Sequence, residues 1–203
     1  MVLDSGFFPS EMNAKQLGKS FSNIYKAWDQ AAYYGYLQRF DIPLGKKVKE
    51  YSRGMVMKFS LAVALSHGAK LLLLDEATSG LDPIIRDDIL DILYDFIQDD
   101  QHSVFLSSHI TADLEKIADY IAFIHKGKLI MCGEKDTLLE TYGLYHCSKD
   151  QLAQLDPSAV AGYRQNEFGV TALVKRYRMP GNFTVEHATL DDIMLYSIKG
   201  SHL

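Results

Sequence analysis

The sequence predicts an α/β fold with a helical N-terminal region and a small α+β region at its C-terminal end. Three observations support this prediction. Residues from about 5 to 66 carry aromatic and aliphatic side chains at helical spacing, residues from about 69 to 132 alternate short apolar runs with amphipathic stretches, and residues from about 133 to 203 are more polar and rich in glycine and proline. The strand–helix–strand alternation of the middle region favours a largely parallel sheet with helices on its faces.

The first region is predicted to be helical over the proline-free segment 10–40. Its large side chains recur at helical spacing and are interpreted as helix-packing core. These side chains are Phe21, Tyr25, Trp28, Tyr33, Tyr36, Leu37 and Phe40. A base-stacking role would need a basic groove around the rings, whereas the surrounding charges are of both signs.

The middle and C-terminal regions are predicted to contain short strands and helices in alternation. Residues 71–74 form a continuous apolar run, as expected of a strand covered on both faces. The later elements are an amphipathic helix over 85–97, a strand at 104–107, a helix at 111–118, a strand at 120–125, a tight turn at 126–128 into a strand at 129–131, and a final helix at about 189–198. Thr189 is a suitable N-cap for that final helix.

Composition and charge exclude several classes of protein. The chain has 203 residues, 47% hydrophobic and 23% charged, which excludes disordered, collagen-like and low-complexity proteins. Its net charge of -5 argues against a nucleic-acid-coating role, and no apolar run approaches the ~18–20 residues that span a bilayer. Cys132 and Cys147 form no CxxC pair, and the N-terminal residues lack the features of a signal peptide. We therefore expect a cytosolic protein.

Two adjacent carboxylates at the end of a predicted strand are the most informative feature. Asp75 and Glu76 follow the apolar run 71–74 and are themselves followed by SGLD at 79–82. Buried charge is costly, and the carboxyl end of a parallel strand is where α/β proteins bind ligands. Asp75 is suited to hold Mg²⁺, directly or through water, and Glu76 to orient or deprotonate a water molecule. The alternative is a strand whose solvent-exposed end carries two acidic residues without a ligand-binding role.

A second candidate site lies upstream, where YSRGM at 51–55 opens a long helical stretch. Ser52 is a good N-cap, Gly54 in the first turn permits close approach of a ligand to the backbone, and Arg53 adds a cation. A helix N-terminus with unpaired N–H groups favours anions. The alternative is an ordinary capped helix.

A third candidate site follows the strand predicted at 104–107. Ser107, Ser108 and His109 stand at the end of this strand, which makes it the second strand end to present polar groups at the expected ligand crevice. A histidine at a phosphate site can bond the terminal phosphate or the attacking water. The alternative is a structural histidine.

The order of these motifs resembles the ATP-binding subunits of ABC transporters. YSRGM matches the signature motif, LLLLDE at 71–76 matches Walker B, SGLD matches the D-loop, and His109 matches the switch histidine. The resemblance covers residues 1–132 strongly and the remainder loosely, and is closest to subunits paired with ABC-2-type permeases. It implies an ABC-type P-loop NTPase core with a helical subdomain and a small α+β C-terminal appendage, and it implies ATP and Mg²⁺ as cofactors.

The resemblance also implies roles for single residues. Asp75 would position Mg²⁺, Glu76 would be the catalytic carboxylate that polarises water, and His109 would be a second catalytic residue. Ser52 and Gly54, which match the signature loop, would contact the γ-phosphate of ATP held by the opposite subunit, and Arg53 is a further candidate for cofactor binding because it adds a cation. Asp82 would lie in the D-loop at the dimer interface.

The sequence departs from the family pattern in several places. Arg53 replaces the usual first glycine of the signature, and Met55 the usual glutamine. The Q-loop glutamine would fall near Asp4. No Walker A motif, GxxxxGK[ST], is present, because LGKS at 17–20 has Asn13 where the first glycine belongs and lies inside a predicted helix. We therefore expect an incomplete P-loop NTPase core, equivalent to the C-terminal two-thirds or more of an ABC ATPase.

These features predict three regions and one leading function. Residues 1–66 would hold a Q-loop remnant and the helical subdomain, 67–132 the catalytic core, and 133–203 an accessory region. The chain would couple ATP hydrolysis to transport through permease subunits, pair with a second ATPase subunit as a homo- or heterodimer, bind no nucleic acid, and lie on the cytoplasmic face of the membrane. The alternative is a non-catalytic interaction or regulatory module. Non-transport ABC ATPases of DNA repair carry coiled-coil insertions, and no heptad array is present.

Overall fold

The computed structural model describes residues 8–167, 169–181 and 183–200. The chain divides into two compact units, Met1–Ile110 and Thr111–Leu203, called here the first and the second unit. The boundaries near 66 and 132 stay a prediction. In the described ranges no helix is long and apolar enough to cross a bilayer.

The first unit begins with helices that start at polar caps. They are α1 (Ala14–Ile24), α2 (Gln30–Arg39) and α3 (Arg53–Leu65), with a short 3-10 helix at Val48–Glu50. Asn13 caps α1 in a capping box with Gln16, and Asp29 caps α2. The predicted helical character of this region is confirmed, with an interruption between α1 and α2. The LGKS segment lies inside α1, as predicted.

Aromatic side chains form much of the core of these helices, as predicted. Tyr33, Leu37 and Phe40 are buried, and the hydroxyl of Tyr33 donates to the carbonyl oxygen of Ala14 at 2.8 Å. Tyr25 differs from the prediction, because it caps the C-terminal end of α1 and remains 37% exposed. Local helical spacing therefore identified part of the core, but not the point at which α1 ends.

A two-stranded parallel sheet completes the first unit. β1 (Leu71–Asp75) pairs with β2 (Ser103–Ser107), and α4 (Pro83–Ile97) connects them. Asp82 caps α4, and proline follows at the first helical position, where its missing N–H is not needed. The predicted strand–helix–strand unit is confirmed.

The expectation that β1 is covered on both faces is wrong for the described part of the unit. Leu72 and Leu74 are 1% and 3% exposed, whereas Leu71 and Leu73 are 52% and 40% exposed. Phe105, the register partner of Leu73, is 68% exposed. Because side chains alternate along a strand, packing against one face of this sheet buries every second residue only.

The second unit is a small α+β structure, and it includes the region 133–203 for which that architecture was predicted. Its elements are α5 (Thr111–Ile117), β3 (Tyr120–His125), β4 (Lys128–Glu134), α6 (Lys135–Thr141), β5 (Tyr142–Cys147), α7 (Lys149–Ala153), β6 (Val160–Asn166), β7 (Gly169–Lys175), β8 (Glu186–His187) and α8 (Leu190–Lys199), with 3-10 helices at Pro157–Ala159 and Arg176–Arg178. Thr189 caps α8 in a capping box with Asp192, as the sequence indicated.

The strand pairing of the second unit corrects one prediction. We expected the third strand of the middle region to join a largely parallel sheet, but β3 pairs with β4 as an antiparallel hairpin. Lys126 and Gly127 make its tight turn with φ of 49° and 73°, and this local connection lets the two strands pair directly. The remaining strands form an antiparallel sheet in the order β6-β7-β5-β8.

Candidate functional site

The carboxyl ends of β1 and β2 bring Asp75 and Ser107 side by side. The strands are parallel and these residues are register partners, so both strands end at the same edge of the sheet. The hydroxyl of Ser107 donates to Oδ1 of Asp75 at 2.5 Å. The backbone N–H of Glu76 lies 3.2 Å from Oγ of Ser107 and 3.1 Å from its carbonyl oxygen. Ser107 therefore orients the carboxylate of Asp75 and helps hold the backbone that follows it.

Glu76 begins a tight loop in a strained conformation. Its φ is 50°, in the left-handed region that costs a non-glycine residue roughly 1–3 kcal/mol. The N–H of Ser79 donates to the carbonyl oxygen of Glu76 at 3.0 Å, and Ala77 and Thr78 are each 1% exposed. The buried residues anchor the loop, so the strained conformation is held by its surroundings.

Glu76 and His109 are in direct contact. Nδ1 of His109 lies 2.6 Å from Oε2 of Glu76, with the two side chains 66% and 37% exposed, respectively. When Nδ1 carries a proton, it donates to the carboxylate and fixes the orientation of that group. An exposed pair of this kind contributes only about 0.2–1 kcal/mol to stability, so its main consequence is geometric.

The acidic residues at this edge fit a magnesium ion that is also held by phosphates. Asp75 and Glu76 supply carboxylate oxygens, which Mg²⁺ prefers, and Mg²⁺ usually takes one or two carboxylates together with substrate phosphates. Across residues 8–167, 169–181 and 183–200 there is no group of three or more His, Cys, Asp or Glu side chains arranged to hold a metal by themselves. The donor set therefore suits a metal–nucleotide complex better than an all-protein metal cage.

The N-terminus of α3 has the predicted cap. Oγ of Ser52 accepts from the N–H of Met55 at 3.2 Å. Tyr51, just before the cap, packs its ring against Phe59 with centroids 5.8 Å apart, and burial raises the pKa of its phenol. The remaining first-turn N–H groups of this helix make it a region of positive potential.

Close packing joins the first turns of α3 and α4. A Cβ atom at Gly54 would lie 2.8 Å from Cδ1 of Ile85, so this glycine lets the two helices approach each other. The carboxylate of Asp82 accepts from the N–H groups of Ile84 and Ile85 at 3.2 Å and 3.1 Å. Gly54 and Asp82 thus have structural roles that do not depend on a ligand.

Arg53 lies against the loop that follows Glu76. A Cβ atom at Gly80 would collide with Nη1 of Arg53 and lie 3.1 Å from its Cζ. The guanidinium therefore occupies the space beside the glycine backbone.

The structure brings the predicted site residues into two groups within the first unit. Asp75, Glu76 and His109 form one group through their contacts with each other and with Ser107. Ser52, Arg53, Gly54 and Asp82 form the other group, at the N-termini of α3 and α4. The predicted Q-loop position at Asp4 lies outside the described residues.

Sequence analysis missed the roles of Ser107 and Gly80. Parallel register aligns Ser107 with Asp75, and this signal becomes usable once the two strands are paired. The contact of Gly80 with Arg53 joins residues that are far apart in the sequence, and no local pattern indicates it.

Comparison with known proteins supports the same resemblance. The family model described as ABC transporter matches residues 4–79. The uncharacterized ABC transporter ATP-binding protein YhcH of Bacillus subtilis is 44% identical over 159 residues, which cover 75% of this chain and 50% of YhcH. The lantibiotic transport ATP-binding protein SrtF of Streptococcus pyogenes is 40% identical over 91 residues, which cover 45% of this chain and 39% of SrtF. The chain spans about half, or less, of the length of the curated relatives it matches.

Solved structures show the same fold. CbiO1 from Clostridium perfringens, part of the ABC transporter complex cbiONQ, matches with a TM-score of 0.56 and 21% identity, covering 68% of this chain and 57% of CbiO1. An ATP binding subunit of an ABC transporter matches with a TM-score of 0.55 and 22% identity, covering 66% of this chain and 57% of the other. Together with the sequence relatives, these matches confirm the resemblance: the chain is similar to the ATP-binding subunits of ABC transporters and has the fold of their ATP-binding domains.

Proposed function

We propose that this chain contributes the carboxylate edge and the signature helix of an ATP-hydrolysing domain that powers transport through a membrane permease. The observation that carries the proposal is the 2.6 Å contact between His109 and Glu76, beside Asp75 at the carboxyl ends of two parallel strands. The proposal takes Glu76 as a candidate base, His109 as the residue that would orient it, and Asp75 as a candidate metal ligand. The similarity to transport ATP-binding proteins such as SrtF supports the same function.

In the proposed mechanism each residue at the edge has a separate task. Asp75, oriented by the hydroxyl of Ser107, would hold Mg²⁺, which when bound offsets the negative charge of the ATP phosphates. Glu76 would accept a proton from, or polarise, the water that attacks the terminal phosphate. His109 would keep the carboxylate of Glu76 in one orientation through Nδ1–H, and Nε2 would donate to the phosphate when the ring is doubly protonated.

The signature helix is proposed to act on a nucleotide held by a second ATPase subunit, in a homo- or heterodimer. The N-terminus of α3 presents N–H groups and positive potential behind Ser52, which favours a phosphate. Arg53 and Gly54 would belong to the same contact region, and Asp82 would lie in the D-loop close to the subunit interface. The family resemblance, and not a contact within this chain, supports this assignment.

The proposed setting is the cytoplasmic face of the membrane. The helical region made of α1, α2 and α3 would dock on the permease, and the permease would be of the ABC-2 type. The transported substrate would be selected by the permease.

The decisive test of the proposed function is Glu76→Gln in a version of the protein extended at its N-terminus by a segment that carries GxxxxGK[ST]. Loss of a general base lowers the rate on the order of 10²–10⁴-fold, and ATP binding should be retained because Asp75 is unchanged. Glu140→Gln, an exposed glutamate on α6, is the control and should leave both unchanged. An unaltered turnover rate in Glu76→Gln would refute the assignment.

A second candidate function is a non-catalytic interaction or regulatory module of an ABC cassette. The observation that favours it is the absence of GxxxxGK[ST] from the 203 residues, since that motif supplies the backbone cradle and lysine for the phosphates. An ATP titration of the 203-residue chain separates the two candidates. Weak binding that becomes strong on N-terminal extension supports the ATPase, whereas weak binding in both versions supports the module.

A further inference from the structure

We propose that Arg53 is a positioning residue, which holds the loop between β1 and α4 so that Glu76 keeps its contact with His109. The inference rests on the proposed function of Glu76, and it assigns to Arg53 a role within its own chain. Arg53 stands where the family pattern has a glycine, so this role would distinguish the chain from relatives that follow the pattern.

The contact between Arg53 and Gly80 is the first observation. A side chain at Gly80 would overlap the guanidinium, whose Cζ lies 3.1 Å and Nη2 3.8 Å from the Cβ position. Gly80 also has φ of 67°, in the left-handed region that favours glycine. Because Gly80 has no side chain, the guanidinium of Arg53 can pack directly against its backbone.

The loop transmits this contact to Glu76 over four residues. Two backbone hydrogen bonds close the loop. The N–H of Ser79 donates to the carbonyl oxygen of Glu76 at 3.0 Å, and the N–H of Leu81 donates to the carbonyl oxygen of Thr78 at 3.4 Å. Thr78 is 1% exposed. A loop closed by successive turns moves as one piece, so a shift at Gly80 reaches the left-handed conformation of Glu76.

The first turn of α3 supplies a fixed base for Arg53. Gly54, the next residue, packs against Ile85 in the first turns of α4, and Ser52 caps α3. The loop is thus held at its two ends by β1 and α4, and in its middle by a side chain from α3. In this proposal Arg53 acts on Glu76 through the loop that its guanidinium packs against.

The shape of the guanidinium, and not its charge alone, is suited to this role. Arginine presents a flat, delocalised group that packs over a bare backbone, whereas lysine ends in a compact, strongly hydrated ammonium. Arg53→Lys should therefore weaken the contact between Glu76 and His109 about as much as Arg53→Gly does.

The test uses the whole 203-residue chain without nucleotide, and reads the ring ¹⁵N signals of His109 by NMR. Glu76→Gln supplies the reference spectrum for a weakened contact with His109. In Arg53→Gly and Arg53→Lys we expect the His109 signals to move at least half of the way to that reference, with the His146 signals unchanged. Unmoved His109 signals in Arg53→Gly, or wild-type signals in Arg53→Lys, would overturn the proposal.

Gly80→Ala tests the same contact from the other side. The added methyl should displace the guanidinium and move the His109 signals, whereas Gly35→Ala, where a Cβ meets nothing within 4 Å, should not. In an Arg53→Gly background, Gly80→Ala should shift the His109 signals less than it does in the wild-type background. The backbone strain that Gly80→Ala introduces is the same in both backgrounds, so it cancels in a double-mutant cycle. Additive effects would contradict the proposed contact. None of these NMR readouts depends on ATP hydrolysis, so a result against the role of Arg53 can be told apart from a failure of the proposed function.

Discussion

Replacement of Ser107 by alanine tests how much the carboxylate edge depends on one hydroxyl. Oγ of Ser107 donates to Oδ1 of Asp75 at 2.5 Å and lies 3.2 Å from the N–H of Glu76. A hydrogen bond to a charged group contributes about 1.5–3 kcal/mol, but solvent exposure of Asp75 reduces this value, and Glu76 keeps its bond to the carbonyl oxygen of Ser107. We therefore expect Ser107→Ala to lower the free energy of unfolding of the first unit by about 1 kcal/mol.

Urea unfolding followed by tryptophan fluorescence measures this change. Trp28 is the single tryptophan of the chain and lies in the first unit, so its signal reports on that unit. Ser103→Ala, at the opposite end of β2, is the matched control and should change stability by less than about 0.5 kcal/mol. Ser107→Thr retains a hydroxyl and should recover most of the loss. Equal effects of the two alanine replacements would refute the reasoning.

Two further predictions concern the core and the exposed sheet face. Tyr33→Phe should lower the free energy of unfolding by about 1 kcal/mol near pH 7, because the buried phenol loses its bond to Ala14. Burial raises the pKa of Tyr33, so the unfolded chain loses this proton first and stability falls as pH rises above ~10. Tyr33→Phe should make that fall shallower by up to about 1.4 kcal/mol per pH unit, measured by urea unfolding between pH 8 and 11, and an identical slope would contradict this. Phe105, Leu71 and Leu73 expose one apolar face, so the chain should self-associate and Phe105→Lys should reduce that association in sedimentation velocity; equal association of the two proteins would exclude this face as the cause.

The sequence by itself determined the local elements and the composition of the candidate site. Ser52 and Thr189 begin helices where their side chains indicated caps, because capping involves residues only two or three positions away. The two carboxylates and His109 were placed near one another because each follows a strand, and parallel strands end at the same edge of a sheet. Both inferences need only the residue types near the ends of each element and the spacing of apolar residues within it.

The tertiary structure alone decided which surfaces and partners those elements meet. The pairing of β3 with β4, the exposure of Leu73 and the role of Ser107 follow from the strands that lie side by side. The contact of Arg53 with Gly80 likewise depends on a helix and a loop packing together in space. Residue type and spacing describe one segment at a time, whereas burial and contact are properties of two segments, and their energies arise only when distant parts of the chain pack against each other.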